Sequence, residues 1–382
     1  MPASPFKTQR LAFTIGTLAI LVAAACNSGS KSGAPQAANN SSPQQMAGNS
    51  GEIIGAGSTF IYPAMTRWIA GFQGSHPGVR INYQSIGSGG GIQQLKKGLV
   101  DFGASDAALD DQQLKEMAAV VQIPESAGPV CITYNLPELK TPLKLSAETL
   151  AGIYLGKIKK WQDDAIKKDN PGVDLPSHDI VVAHRSDGSG TTNIFTTYLA
   201  KVSPDWQKQV GKGISVSWPA GVGGKGSEGV TGVVKQMPGG IGYVELTYAK
   251  ENKLPVASVR NQAGAWVEPT AQGTTAAIDA FQSELAKDVR TPIVDPPASA
   301  KDAYPIAGLT FLIVPKEPND ARKGETLKQF IQYIVTQGQD QAESLSYAKL
   351  PGNLQQQDQN LLSQVGTQGQ HNQATLKSSV GR

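Results

Sequence analysis

The chain is poor in the residues that build disulfide and metal sites. Two cysteines and four histidines in 382 residues exclude a disulfide scaffold and a cysteine-rich zinc module. His76, His178, His184 and His371 fall in loop, strand or tail contexts without ligand spacing, so neither a metal nor any other cofactor is expected. Charge is sparse as well. Asp, Glu, Lys and Arg make up 17% of residues and nearly cancel to +3, too little for a nucleic-acid-binding face. No G-x-S-x-G nucleophile elbow occurs in the sequence. The one long apolar run, Leu11 to Ala25, is too short to span a bilayer. What is abundant is glycine, 42 residues beside 24 prolines, with 39% hydrophobic residues. That balance suits a strand-and-loop-rich α/β chain with a sizeable core, and the length suggests about two domains.

Lys7 and Arg10 precede the apolar run, and Ala23, Ala24 and Ala25 follow it directly before Cys26. This is the plan of a secretory signal peptide over residues 1–25. The cysteine placement resembles a bacterial lipobox, with Ala23 where leucine is usual, and lipidation of Cys26 is the expectation. Removing residues 1–25 takes away two cations and no acid, leaving the remainder closer to neutral. Residues 26–50 are Ser, Asn, Gln, Gly and Ala with little to bury, a flexible tether. Residues 367–382 read as a polar tail. Cys131, within the apolar, strand-like run Pro129–Tyr134, is expected to be a buried small hydrophobe.

Between these ends, strand-like and helix-like segments alternate at spacings of about 20 residues, the signature of an α/β layer. Strands are expected at 52–57, 79–83, 99–105, 179–185 and 241–246, with one long strand or a strand pair at 304–315. Helices are expected at 62–72, 91–99, 147–155, 191–202, 228–237 and 326–336. The acidic pairs Asp110-Asp111 and Asp163-Asp164 read as solvated helix starts, and Lys157–Trp161 as a surface feature. Gly221–Gly226 fits G-x-G-x-x-G formally, but it follows a proline and no convincing strand. That argues against dinucleotide binding.

Three segments share one design, in which a strand ends, small or hydroxyl residues follow, and a helix begins. They are Gly55–Phe60, Ile86–Gly91 and Arg185–Thr192. Helix starts expose unpaired N–H groups and the positive end of the dipole, so three converging ends can hold an anion with few formal charges. Each alone reads as an ordinary N-cap, and it is three in one chain, one with an arginine attached, that move the balance toward anion binding. Arg185 offers a guanidinium fork for a tetrahedral oxyanion, and Asp187 can hold that fork in place. Asp106 also follows a strand. It reads either as a cap or as an acceptor for a proton carried by the anion, which phosphate has near neutral pH and sulfate lacks.

The sequence resembles the phosphate-binding proteins of bacterial phosphate ABC transporters, from about Gly55 to Pro351. The segments that carry the resemblance are GAGSTFIYP (55–63), NYQSIGSGGG (82–91), VDFGASDAAL (100–109), IYLGKIKKW (153–161), HRSDGSGTT (184–192), WPAGVGGKGSEGV (218–230) and IGYVELTYAK (241–250). The resemblance implies phosphate ligands at Thr59, Phe60, Ser88, Asp106, Arg185, Ser189, Gly190 and Thr191, with Asp187 behind Arg185. It also implies a two-lobed periplasmic-binding-protein fold, type II-like, each lobe a mixed sheet flanked by helices, with two hinge crossovers. Lobe 1 is then 51–128 with 303–366 and lobe 2 is 129–302, crossing near 126–132 and 299–306. The expected partners are inorganic phosphate and the membrane permease of the transporter. No nucleic acid is expected, and the protein is expected to be a monomer held at the membrane by its lipid. Two other readings compete: a phosphatase or phosphoryl transferase built on the same oxyanion site, and a receptor for sulfate or molybdate.

Overall fold

Eleven strands can be followed in the computed structural model, which describes residues 52–117 and 119–366. They are β1 Ile53–Gly57, β2 Ile81–Ser85, β3 Phe102–Ser105, β4 Val120–Tyr134, β5 Lys144–Leu145 and β6 Val181–Arg185, then β7 Val222–Gly224, β8 Gly240–Glu245, β9 Ser258–Arg260, β10 Trp266–Val267 and β11 Ala307–Pro315. Eight of them form one mixed sheet in the order β2-β1-β3-β11-β4-β8-β6-β7, and β10-β9-β5 form a small second sheet.

Each end of the large sheet repeats one scheme. β2, β1 and β3 run parallel to one another, as do β8, β6 and β7, and an antiparallel strand closes each trio. Parallel strands need crossover helices. The helices Tyr62–Ser75 and Ser88–Lys96 serve the first trio, and Gly190–Val202 and Gly226–Gln236 the second. This is a two-lobed α/β fold, and β4 belongs to both halves. Its residues Val120–Pro129 pair with β11, and Val130–Tyr134 pair with β8.

Burial follows from that layering. Trp68, Phe72, Phe102 and Phe330 pack on one side of the first trio, and Tyr154, Phe195 and Tyr243 pack against the second. Cys131 is fully buried, and desolvation raises its thiol pKa far above the usual range, as the sequence reading anticipated. Asp110 and Asp163 are N-caps, as expected. Trp161 departs from the surface reading. It is wholly buried with its Nε1 donating to the Gly239 carbonyl at 3.0 Å, while Lys157 and Lys160 sit in exposed ion pairs.

Some element boundaries are shifted from expectation. The second helix begins at Ser88 rather than Gly91, because tertiary contact rather than propensity sets that start. A Cβ at Gly91 would run into the backbone of Ala56 and Gly57. The 304–315 segment is one long strand, Ala307–Pro315, the first of the two expected alternatives. Gly221–Gly226 does contain a strand, β7, three residues long and added to the edge of the sheet beside β6. The expected signal peptide, Cys26, the tether, the polar tail and His371 lie outside the described residues.

Candidate functional site

Every ligand position expected from the sequence lies at the C-terminal end of a parallel strand or in the turn or helix start that follows it. Ser58, Thr59 and Phe60 follow β1, Ser88 follows β2, Asp106 follows β3, and Arg185 to Thr191 end β6 and open the next helix. Such strand ends face helix N-termini, the usual place for ligands in open α/β sheets. The helices starting at Tyr62 and Ser88 have no side-chain cap, so their first-turn amides are not spent on their own side chains.

Hydroxyl groups stitch these loops into one buried cluster. Asp106, 4% exposed, accepts from the Ser58 hydroxyl and from Thr310 Oγ1 (3.2 Å) at Oδ1, and from Thr191 Oγ1 (3.2 Å) at Oδ2. Ser88 Oγ accepts from the amides of Asp106 (3.3 Å) and Gly190 (3.0 Å). Ser189 caps its own helix by accepting from the Thr192 amide at 3.1 Å. Thr59 Oγ1 accepts from the Ser227 amide at 3.2 Å and lies 2.8 Å from the Ser227 hydroxyl. Phe60 is buried, and its carbonyl accepts from Tyr347 at 2.6 Å.

Arg185 is the cation of the cluster, its side chain 1% exposed. Its Nε and Nη2 donate to the two oxygens of Asp187 at 2.8 and 2.6 Å. Asp187 Oδ1 also accepts from the Gly226 amide at 3.0 Å. Burial disfavours the guanidinium charge, but the hydrogen bonds and charge of Asp187 outweigh it and raise the pKa. Burial likewise penalises the Asp187 carboxylate, and Arg185 with the Gly226 amide overrides that and holds its pKa below the usual value. Both groups are charged at neutral pH. Asp106 differs: burial pushes its pKa up to about 6, with the hydroxyls of Ser58, Thr191 and Thr310 and the charge of Arg185 pulling against it. It is therefore mostly an ionised acceptor at pH 7.

Sequence reasoning missed Ser227, because the strand before it is too short to show as a hydrophobic run. It also missed the tyrosines that buttress the loops from afar. Tyr83 donates to the Ser58 carbonyl (2.9 Å) and Tyr248 to that of Thr59 (2.6 Å). Tyr243 lies 2.6 Å from Thr192 Oγ1 and accepts from the Arg185 amide at 3.1 Å. No local pattern announces such contacts. His184 stacks on Trp218 with centroids 4.9 Å apart, and burial lowers its pKa, so at neutral pH it brings no charge to the cluster.

Two glycines are set by close approach. Gly87 has φ +84°, and a Cβ there would strike the Asp187 carboxylate and the Gly188 carbonyl. A Cβ on Gly190 would sit 2.6–2.7 Å from the backbone and Cβ of Asp106. Gly190→Ala is therefore expected to push the loops after β3 and β6 apart. Calorimetric titration should show anion affinity falling at least tenfold, with the melting temperature shifted by only a few degrees. Wild-type affinity in this variant would mean that the two loops need not touch when the site is filled.

The chain matches the model of a PBP superfamily domain over residues 42–337. It is 44% identical to a phosphate-binding protein PstS of Xylella fastidiosa strain Temecula1, over 87% of this chain and 90% of that one. It is 42% identical to a phosphate-binding protein PstS of Haemophilus influenzae, over 79% of this chain and 90% of the other. Among solved structures, it resembles a putative phosphate ABC transporter substrate-binding protein with bound phosphate from Clostridium perfringens. There the TM-score is 0.57 at 18% identity, over 79% of this chain and all of that one.

Proposed function

The chain belongs to the phosphate-binding protein PstS family within the PBP superfamily, and we propose that it captures inorganic phosphate between its two lobes and hands it to the permease of an ABC importer. As a transport receptor it is not an enzyme, and no bond is made or broken. The ligand set proposed is Thr59, Phe60, Ser88, Asp106, Arg185, Ser189, Gly190 and Thr191, with Asp187 holding Arg185. The observation that carries this reading is the meeting of Asp106, Arg185 and the hydroxyls of Ser58, Thr59, Ser88 and Thr191 in one buried cluster at the ends of β1, β2, β3 and β6. An ionised acceptor among donors suits an oxyanion that still carries a proton, and a fully deprotonated anion such as sulfate would face Asp106 without a bond.

We place residues 51–128 with 303–366 in one lobe and 129–302 in the other. The partner change of β4 at Pro129–Val130 and the start of β11 at Ala307 support that division. On it, the Ser88–Gly190, Thr191–Asp106, Thr59–Ser227 and Gly89–Gly188 bonds all run between lobes. Phosphate bridging the same loops favours this closed arrangement over an open one by hinge motion. Residues 1–25 direct export and Cys26 carries the membrane anchor, which places the receptor outside the inner membrane beside its permease.

Titration calorimetry of the chain without residues 1–50 tests the reading, after unfolding, dialysis and refolding to strip retained anion. One-to-one binding of phosphate with no heat from sulfate is the expected outcome. Well-folded protein that gives no phosphate heat overturns it.

A further inference from the structure

Across Thr310 from Asp106 lies a second carboxyl group. Glu125 sits in the middle of β4 and is 0% exposed. Its position in the strand is irregular. Thr310 of β11 pairs with Ser126 and Phe311 with Pro124, so Glu125 is the extra residue of a β-bulge. Bulges re-aim a side chain and commonly do so beside functional sites. Gln339 Nε2 fixes this one by donating to the Glu125 carbonyl at 2.8 Å. The side chain is thereby brought to Thr310, whose Oγ1 lies 3.1 Å from Glu125 Oε1 and 3.2 Å from Asp106 Oδ1.

A threonine hydroxyl has one proton. It cannot donate to both carboxylates, so two ionised groups would leave one oxygen facing Thr310 without a hydrogen. The consistent arrangement is a neutral Glu125 that donates to Thr310, whose own proton then goes to Asp106. Among the described residues the other Glu125 oxygen has no hydrogen-bond partner, which a buried carboxylate tolerates far worse than a buried acid. We propose that Glu125 is a positioning residue for phosphate capture, a buried carboxylic acid that commits the Thr310 hydroxyl to Asp106 and whose loss of a proton weakens binding at alkaline pH. The proposal rests on the phosphate reading above.

The electrostatics agree with the geometry. Burial raises the Glu125 pKa to about 8 and the Asp106 charge adds to it; a Thr310 proton given to Glu125 would lower it, but in this arrangement that proton goes to Asp106. Of the ionisable groups around it, Asp106 and Tyr83 interact with Glu125, and Tyr83 is held neutral by burial. The other buried carboxyls on elements packed against β4 are Glu245, at the end of β8, and Asp358, in the helix Gly352–Leu362. Neither enters the balance at Glu125. An anion bound next to Asp106 adds negative charge and raises the Glu125 pKa further. A pKa raised by binding gives affinity that is fully present below the free-state value and lost as pH rises from it through the higher bound-state value.

The test compares phosphate titrations of full-length wild type and Glu125→Gln at pH 6.5 and 9.5, because the glutamine amide can donate to Thr310 but cannot ionise. The readout is the ratio of affinities at the two pH values within each protein. The wild-type ratio is expected to exceed the variant ratio about tenfold. Equal ratios overturn the role of Glu125. Failure of wild type to bind at pH 6.5 would instead overturn the phosphate reading. Should Glu125→Gln not fold, Thr310→Ala replaces it, since removing the shared hydroxyl must also reduce the wild-type ratio. A Thr310→Ala ratio equal to that of wild type would overturn the relay.

Discussion

Replacing Arg185 with alanine should weaken phosphate binding at least a hundredfold, which is about 2.8 kcal/mol. The expectation rests on what the guanidinium leaves behind. Arg185 is the cation that faces the cluster, and Asp187 and Asp106 both remain when it goes. The anion would then close against two carboxylates with no compensating charge, in a site dry enough for that repulsion to matter. Among the described residues, Asp187 would keep only the Gly226 amide as a bond from outside its own loop. Arg185→Lys should recover part of the loss, because a point charge restores the sign but not the fork. Melting curves run beside the titrations separate lost binding from lost folding. An Arg185→Ala protein that folds and binds as tightly as wild type would remove the arginine from the site.

The parts of this site that were legible in the sequence share a local signal. Gly55–Phe60, Ile86–Gly91 and Arg185–Thr192 each show a strand end, small or hydroxyl residues and a helix start within about eight positions, and chemistry alone marks Arg185 and Asp106. The parts that were not legible depend on contacts distant in sequence. β4 runs unbroken from Val120 to Tyr134, yet Pro124, Glu125 and Pro129 interrupt its apolar pattern, so only its last residues read as a strand. The same interruption holds the bulge that aims Glu125 at Thr310, 185 residues away. Ser227 reaches Thr59 across 168 residues, from a helix that follows a strand of only three residues. Pattern reasoning sees the frame in which a side chain sits, but the pairing register decides which distant group it meets.

Asp106→Asn should cost the protein most of its discrimination between phosphate and sulfate, lowering the ratio of their affinities about a hundredfold or more. A site that must hydrogen-bond a ligand hydroxyl can reject an analogue lacking one by about 10⁴. Most of that rejection comes from two unprotonated acceptors held face to face. Here the acceptor is well fixed, since Ser58, Thr191 and Thr310 all donate to it. It cannot turn away from the ligand without losing those bonds. An asparagine amide can turn its N–H donors to the ligand, so sulfate gains a partner, while phosphate keeps at best a neutral carbonyl in place of the charged acceptor for its proton. The pH dependence gives a second check with the opposite sign to that of Glu125. With a pKa of about 6, Asp106 is ionised above that value, so wild-type preference for phosphate should shrink as pH falls through it. The asparagine variant has no carboxyl there to titrate, so the pH dependence of its ratio should lack the component centred near 6 that wild type shows. Competition titrations of both anions read this directly, and a variant that still rejects sulfate as strongly as wild type would show that the proton is read by some other group.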